Sequence, residues 1–132
     1  MTTPVHTVLI ADDDPDIRAL LTMTLELSGY SVTAAEDGAQ AGDLARRLKP
    51  DLIVADVMMP VTDGFDLLEK LKADEATMDI PVVMLTARTS DKDAWRGWQA
   101  GASYYLTKPF DPDHLIRFIE HLDDPDGHPL PC

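Results

Sequence analysis

Asp56 ends the apolar run Leu52-Ile53-Val54-Ala55 and precedes Val57-Met58-Met59-Pro60, so a carboxylate stands where a buried strand gives way to a loop. A carboxylate held there is a potential nucleophile. The arrangement recurs: Val8-Leu9-Ile10-Ala11 runs into Asp12-Asp13-Asp14, Val82-Val83-Met84-Leu85 into Thr86, and Tyr104-Tyr105-Leu106-Thr107 into Lys108. Asp12, Asp13 and Asp56 would meet at one sheet edge, and their repulsion makes sense if a hard divalent cation sits among them. Magnesium suits best, because it takes one or two carboxylates together with waters and phosphate oxygens, which makes phosphoryl chemistry its natural companion. The backbone carbonyl of Met58 could complete the protein's share. Lys108 supplies a positive charge for a phosphoryl group, Thr86 a hydroxyl for one of its oxygens, and Pro109 restricts the loop after Lys108. Taken singly, each has a plainer reading: a helix-capping acid run, a solvated lysine, a turn hydroxyl. Their convergence on four strand ends favours the chemical one.

The elements that must position these groups alternate regularly. Asp14-Pro15 is a helix start, with the aspartate as cap and the proline at the first helical position, and Ile17, Leu20, Leu21, Thr24 and Leu25 form one face up to Gly29. A strand over Ser31 to Ala35 yields through Asp37-Gly38 to a helix over Ala39 to Leu48, closed by Lys49-Pro50. Gly64 opens a third helix with Phe65, Leu68 and Leu71 on one side. A fourth is expected over Asp91 to Ala100, ended by Gly101. Asp111-Pro112 caps the last, which carries Leu115, Ile116, Ile119 and Leu122. Five strand-helix alternations with short connections predict right-handed crossovers, a parallel sheet covered on both faces, and a site beyond the carboxyl ends of the strands.

The chain has 132 residues, 45% of them hydrophobic and 27% charged, which fits one domain with an adequate core. That domain is expected over residues 1–122. Residues 123–132 have three prolines, three acids and no apolar periodicity and read as a flexible tail or the start of a linker. A formal net charge of −13 argues against direct nucleic-acid binding or an anionic membrane surface. The one cysteine, Cys132, excludes an internal disulfide framework. With no basic leader and no run near a spanning length, a cytoplasmic setting is expected.

Asp12-Asp13 after the first strand, Asp56-Val57-Met58-Met59-Pro60 with Asp63-Gly64, Thr86-Ala87 and Lys108-Pro109-Phe110 stand in an order and spacing that closely resembles the receiver domain of two-component response regulators, over about Thr7 to Leu122. The resemblance implies a doubly wound five-stranded parallel sheet in the flavodoxin-like order 2-1-3-4-5, with five helices. It further implies that Asp56 accepts a phosphoryl group from a histidine kinase or phosphotransfer protein. Asp13 and Asp56 would bind Mg2+ directly, Asp12 chiefly through water, and Lys108 would pair with the phosphoryl oxygens. Thr86 and Tyr105 would be the switch pair, carrying the signal to the face of the helix over Asp91 to Ala100, the fifth strand and the last helix, a surface open to homodimerisation. Met58 and Arg88 occupy positions where such domains tune the lifetime of the phosphorylated form.

A haloacid-dehalogenase-type enzyme also uses an aspartate nucleophile, magnesium and a lysine, but wants a second aspartate where Met58 stands. A receiver-like scaffold working without phosphorylation is the other alternative; such chains usually lose an acid or the lysine, and none is missing here. Trp95 and Trp98 share a helix side by spacing, and Trp95 is expected to be partly exposed against a partner. Tyr104 alternates to the face opposite Tyr105. His6, His114, His121 and His128 show no ligand spacing and read as surface residues.

Overall fold

The computed structural model describes residues 7–56, 64–86, 104–107 and 111–123. Strands β1 (Thr7–Ala11), β2 (Ser31–Ala35), β3 (Leu52–Asp56), β4 (Val82–Thr86) and β5 (Tyr104–Thr107) form one parallel sheet in the order β2-β1-β3-β4-β5. Helices α1 (Pro15–Leu27), α2 (Gly38–Leu48), α3 (Gly64–Ala73) and α4 (Pro112–Asp123) cover it. The doubly wound arrangement expected from the sequence is the one observed. The helix expected over residues 91–100 and the expected tail lie outside the described residues.

Strand alternation divides the core into two layers. Leu9, Ala11, Ile53, Ala55, Val82 and Met84 face α2 and α3, where Ala41, Ala45, Leu67, Leu68 and Leu71 meet them. Val8, Ile10, Leu52, Val54, Val83, Leu85 and Leu106 face the opposite way and pack with Leu21 and Leu25 of α1 and Leu115, Phe118 and Ile119 of α4. β3 is buried along its whole length, as its unbroken apolar run requires between two helical layers.

Local signals set the helix ends. The Asp14 carboxylate accepts from the Asp16 N–H at 2.9 Å with Pro15 behind it, and that of Asp37 accepts from the Gln40 N–H at 2.8 Å. Asp111 accepts from the Asp113 N–H at 2.9 Å. Gly29, at φ 98°, takes the left-handed turn that ends α1, and Tyr30 N–H closes it on Leu25 O at 3.0 Å. Lys49 makes the same turn after α2 at φ 47°.

The amino edge of the sheet is closed by its own polar groups. Thr7 donates from both N–H and Oγ1 to Asp51 Oδ2, at 3.0 and 3.2 Å, and Asp51 N–H returns a bond to Thr7 O at 2.9 Å. Between α3 and β4, buried Thr77 donates its hydroxyl to Leu71 O at 2.7 Å. Lys72 Nζ donates to Met78 O and Ile80 O at 3.1 and 3.0 Å. Partial burial pushes the Lys72 ammonium pKa down from its ordinary value, with the charge of Asp79 opposing that shift.

At the other edge, register decides what meets. Ala11 pairs with Ala35 on one side and with Ala55 on the other, so three fully buried alanines lie in a row across β2, β1 and β3. Asp12 and Asp56 are each the next residue after that row.

Candidate functional site

Parallel pairing of Ala11 with Ala55 brings Asp12 and Asp56 to the same level of adjacent strands. Asp12 N–H still donates to Ala35 O at 3.2 Å, so the first residue beyond β1 remains tied to β2. Its carboxylate then turns the chain, with Oδ1 accepting from the Asp14 N–H at 2.9 Å, an Asx turn that leads straight into the α1 cap. The Asp12 carbonyl accepts from Arg18 Nη1 at 2.8 Å.

The result is an acidic cluster. One carboxylate oxygen from each of Asp12, Asp13 and Asp56 can be chosen so that all lie within 4.8 Å of one another. Asp12 and Asp56 are buried, whereas Asp13 is exposed and forms the solvent side of the group. Three formal negative charges at this separation disfavour one another strongly away from bulk water, and the start of α1 offsets this by only a fraction, since a helix terminus contributes about 0.3–1 kcal/mol at an exposed position. A hard cation with oxygen ligands fits such a donor set, whereas a soft one would ask for sulfur or imidazole.

The remaining strand ends line up beside it. Asp56 pairs with Leu85, so Thr86 lies one residue beyond that level on β4, and Thr107 of β5 pairs with Thr86. Tyr105 pairs with Met84 in the edge strand. Lys108 follows Thr107 in sequence; it, Met58, Pro109, Arg88, Trp95 and Trp98 lie outside the described residues, as do His6 and His128. His114 is exposed on α4, as expected of a surface histidine. Of the site residues read from the sequence, the structure thus brings Asp12, Asp13 and Asp56 together and sets the backbones of Thr86 and Tyr105 on the neighbouring strands.

A family model for the response regulator receiver domain matches residues 8–120. The chain belongs to that family. The receiver is 46% identical over 115 residues to the DNA-binding dual master transcriptional regulator RpaA of Synechocystis, covering 87% of this chain and 48% of that protein. It is 44% identical over 114 residues to the phosphate regulon transcriptional regulatory protein PhoB of Pseudomonas aeruginosa, covering 86% of this chain and 50% of that one. The receiver therefore spans about half the length of these curated relatives. Among solved structures, the receiver domain of a sensor histidine kinase from Pseudomonas aeruginosa, with magnesium coordinated in its active-site cleft, superposes with a TM-score of 0.82 at 32% identity, covering 89% of this chain and 97% of that one. The chemotaxis protein CheY4 of Vibrio cholerae does so with a TM-score of 0.84 at 34% identity, over 89% of this chain and 98% of that one.

Sequence reading passed over Arg18. The signal available was a cation in the first turn of a helix, next to the positive end of the helix dipole, where a basic residue is disfavoured unless something holds it there. In this receiver, no helix among the described residues is long and apolar enough to cross a membrane.

Proposed function

We propose that this receiver accepts a phosphoryl group on Asp56 from a histidine kinase or phosphotransfer protein in a Mg2+-dependent reaction. The observation that supports it most is the convergence of Asp12, Asp13 and Asp56 on one edge of a receiver sheet, with two of the three buried. An Asp56 carboxylate oxygen forms the new bond to phosphorus as the P–N bond of a phosphohistidine breaks and the imidazole nitrogen keeps the electron pair. Asp13, Asp56 and the Met58 carbonyl would hold the magnesium ion, Asp12 acting chiefly through water. When bound, the ion supplies positive charge for the acids and for the phosphoryl oxygens. Lys108 pairs with those oxygens from the β5 side, the Thr86 hydroxyl takes another, and Pro109 restrains the loop behind Lys108. Thr86 and Tyr105 then form the two-state element whose balance the new charge biases.

On this reading the protein assists its own phosphorylation and dephosphorylation without turning over a separate substrate. The receiver, residues 1–122, contacts its kinase and, through the face around Tyr105, a partner or a second copy, and residues 123–132 form a tail or linker. At a net charge of −13 it makes no direct contact with nucleic acid itself. The expected setting is the cytoplasm.

Intact mass after incubation with acetyl phosphate tests this. Wild-type protein should gain one phosphoryl group in Mg2+ and none in EDTA, and Asp56→Asn should gain none in either. Absence of an adduct on wild-type protein, together with no binding of beryllofluoride, would instead support a scaffold that works without phosphorylation.

A further inference from the structure

Arg18 makes a contact that neither helix formation nor surface solvation asks for. Its guanidinium folds back over the first turn of α1 and donates from Nη1 to the carbonyl oxygen of Asp12 at 2.8 Å. Four aspartates, Asp12, Asp13, Asp14 and Asp16, stand among the six residues before it, yet among the described residues it forms no ion pair. The donor is spent on a backbone carbonyl inside the acid loop, at a half-buried position.

That carbonyl belongs to the peptide unit joining Asp12 to Asp13. The unit is planar, so fixing its oxygen fixes the orientation from which the Asp13 Cα and side chain depart. The rest of Asp12 is already held: its N–H bonds to Ala35 O at 3.2 Å and its carboxylate to the Asp14 N–H at 2.9 Å. Asp13 differs, because it is exposed, so its aim depends on the backbone that carries it. Building on the proposed Mg2+ site, we infer that Arg18 is a positioning residue that aims the Asp13 carboxylate into the cation site by holding the Asp12 carbonyl.

A competing effect has the opposite sign, which makes the inference decidable. A guanidinium beside three carboxylates repels an incoming cation, so charge alone predicts that removing Arg18 tightens Mg2+ binding, most visibly at low salt. Positioning predicts that removal weakens it at any salt. Residues that orient metal ligands typically change metal affinity by about 10- to 100-fold. Only one of the ligands is aimed here, so the low end applies.

The experiment is calorimetric titration of Mg2+ into the full chain, without phosphodonor, at low and physiological salt. Wild type, Arg18→Met, Arg18→Lys and Asp13→Asn are compared, and each variant's Tm is measured in EDTA. Arg18→Met keeps the aliphatic stem and should raise the Mg2+ Kd about tenfold at both salts while its Tm in EDTA stays near wild type. Arg18→Lys, which can place one ammonium donor on the carbonyl, should recover part of that loss. A Kd for Arg18→Met that is unchanged or lower would overturn the positioning role. If Arg18→Met fails to fold, Arg18→Lys decides alone: its Kd must lie above that of wild type, and equality or tightening would overturn the inference. Wild-type protein that binds no Mg2+ would instead sink the reading of the site itself.

Discussion

Among the described residues, the two edges of the sheet put their polar side chains to opposite uses. At the amino edge, Thr7 and Asp51 exchange bonds, Thr77 closes on Leu71 O, and Lys72 spans Met78 O and Ile80 O, so each donor meets an acceptor of the loops it joins. At the carboxyl edge, Asp12, Asp13 and Asp56 bring like charges within 4.8 Å of one another. The first edge is stabilised by what the chain already contains. The second gathers like charges, which on the proposed function a cation and a phosphoryl group complete.

Perturbations should therefore separate the edges. The largest effect is expected from Mg2+: at a concentration about 100 times Kd, binding to the folded state alone stabilises by about 2.7 kcal/mol. Denaturant melts with and without Mg2+ should show that gain in wild-type protein and lose most of it in Asp13→Asn. An equal gain in both would mean that the ion acts elsewhere. Next comes Thr77→Val, which removes the donor from a buried carbonyl; a loss of about 1–2 kcal/mol is expected, with Mg2+ affinity and phosphoryl uptake untouched. A change in Mg2+ affinity there would erase the division between the edges.

The smallest effect concerns Lys72. Its pKa is lowered in the folded state, so between that value and the ordinary 10.5 the unfolded chain binds more protons, and stability rises with pH through that window. The contribution is fully present above the unfolded pKa and lost as pH falls through the folded one. Across the alkaline range, the stability of wild type minus that of Lys72→Met should rise slightly with pH.

What was legible in the sequence follows the same division. The Asp14-Pro15 and Asp111-Pro112 starts, the Gly29 stop and the unbroken β3 run depend on neighbours in sequence, and the structure has them where they were expected. The convergence of Asp12 and Asp56 was legible because strand ends in a parallel sheet share an edge. The bonds of Arg18, Lys72 and Thr77 were not. Each runs from a side chain to a backbone carbonyl six or eight residues away, across a turn whose path leaves no periodic trace in residue type.

The row of Ala35, Ala11 and Ala55 beneath the acids has an evolutionary consequence. Each methyl lies fully buried in the α2–α3 layer, so the addition of even one or two carbon atoms must displace helix side chains, while glycine would loosen the strand that has to stay straight. Drift is closed in both directions. Three residues without any reactive group should thus tolerate fewer neighbours in sequence space than the exposed acid they help to carry, and the acidic cluster at this edge is guarded by its least chemical side chains.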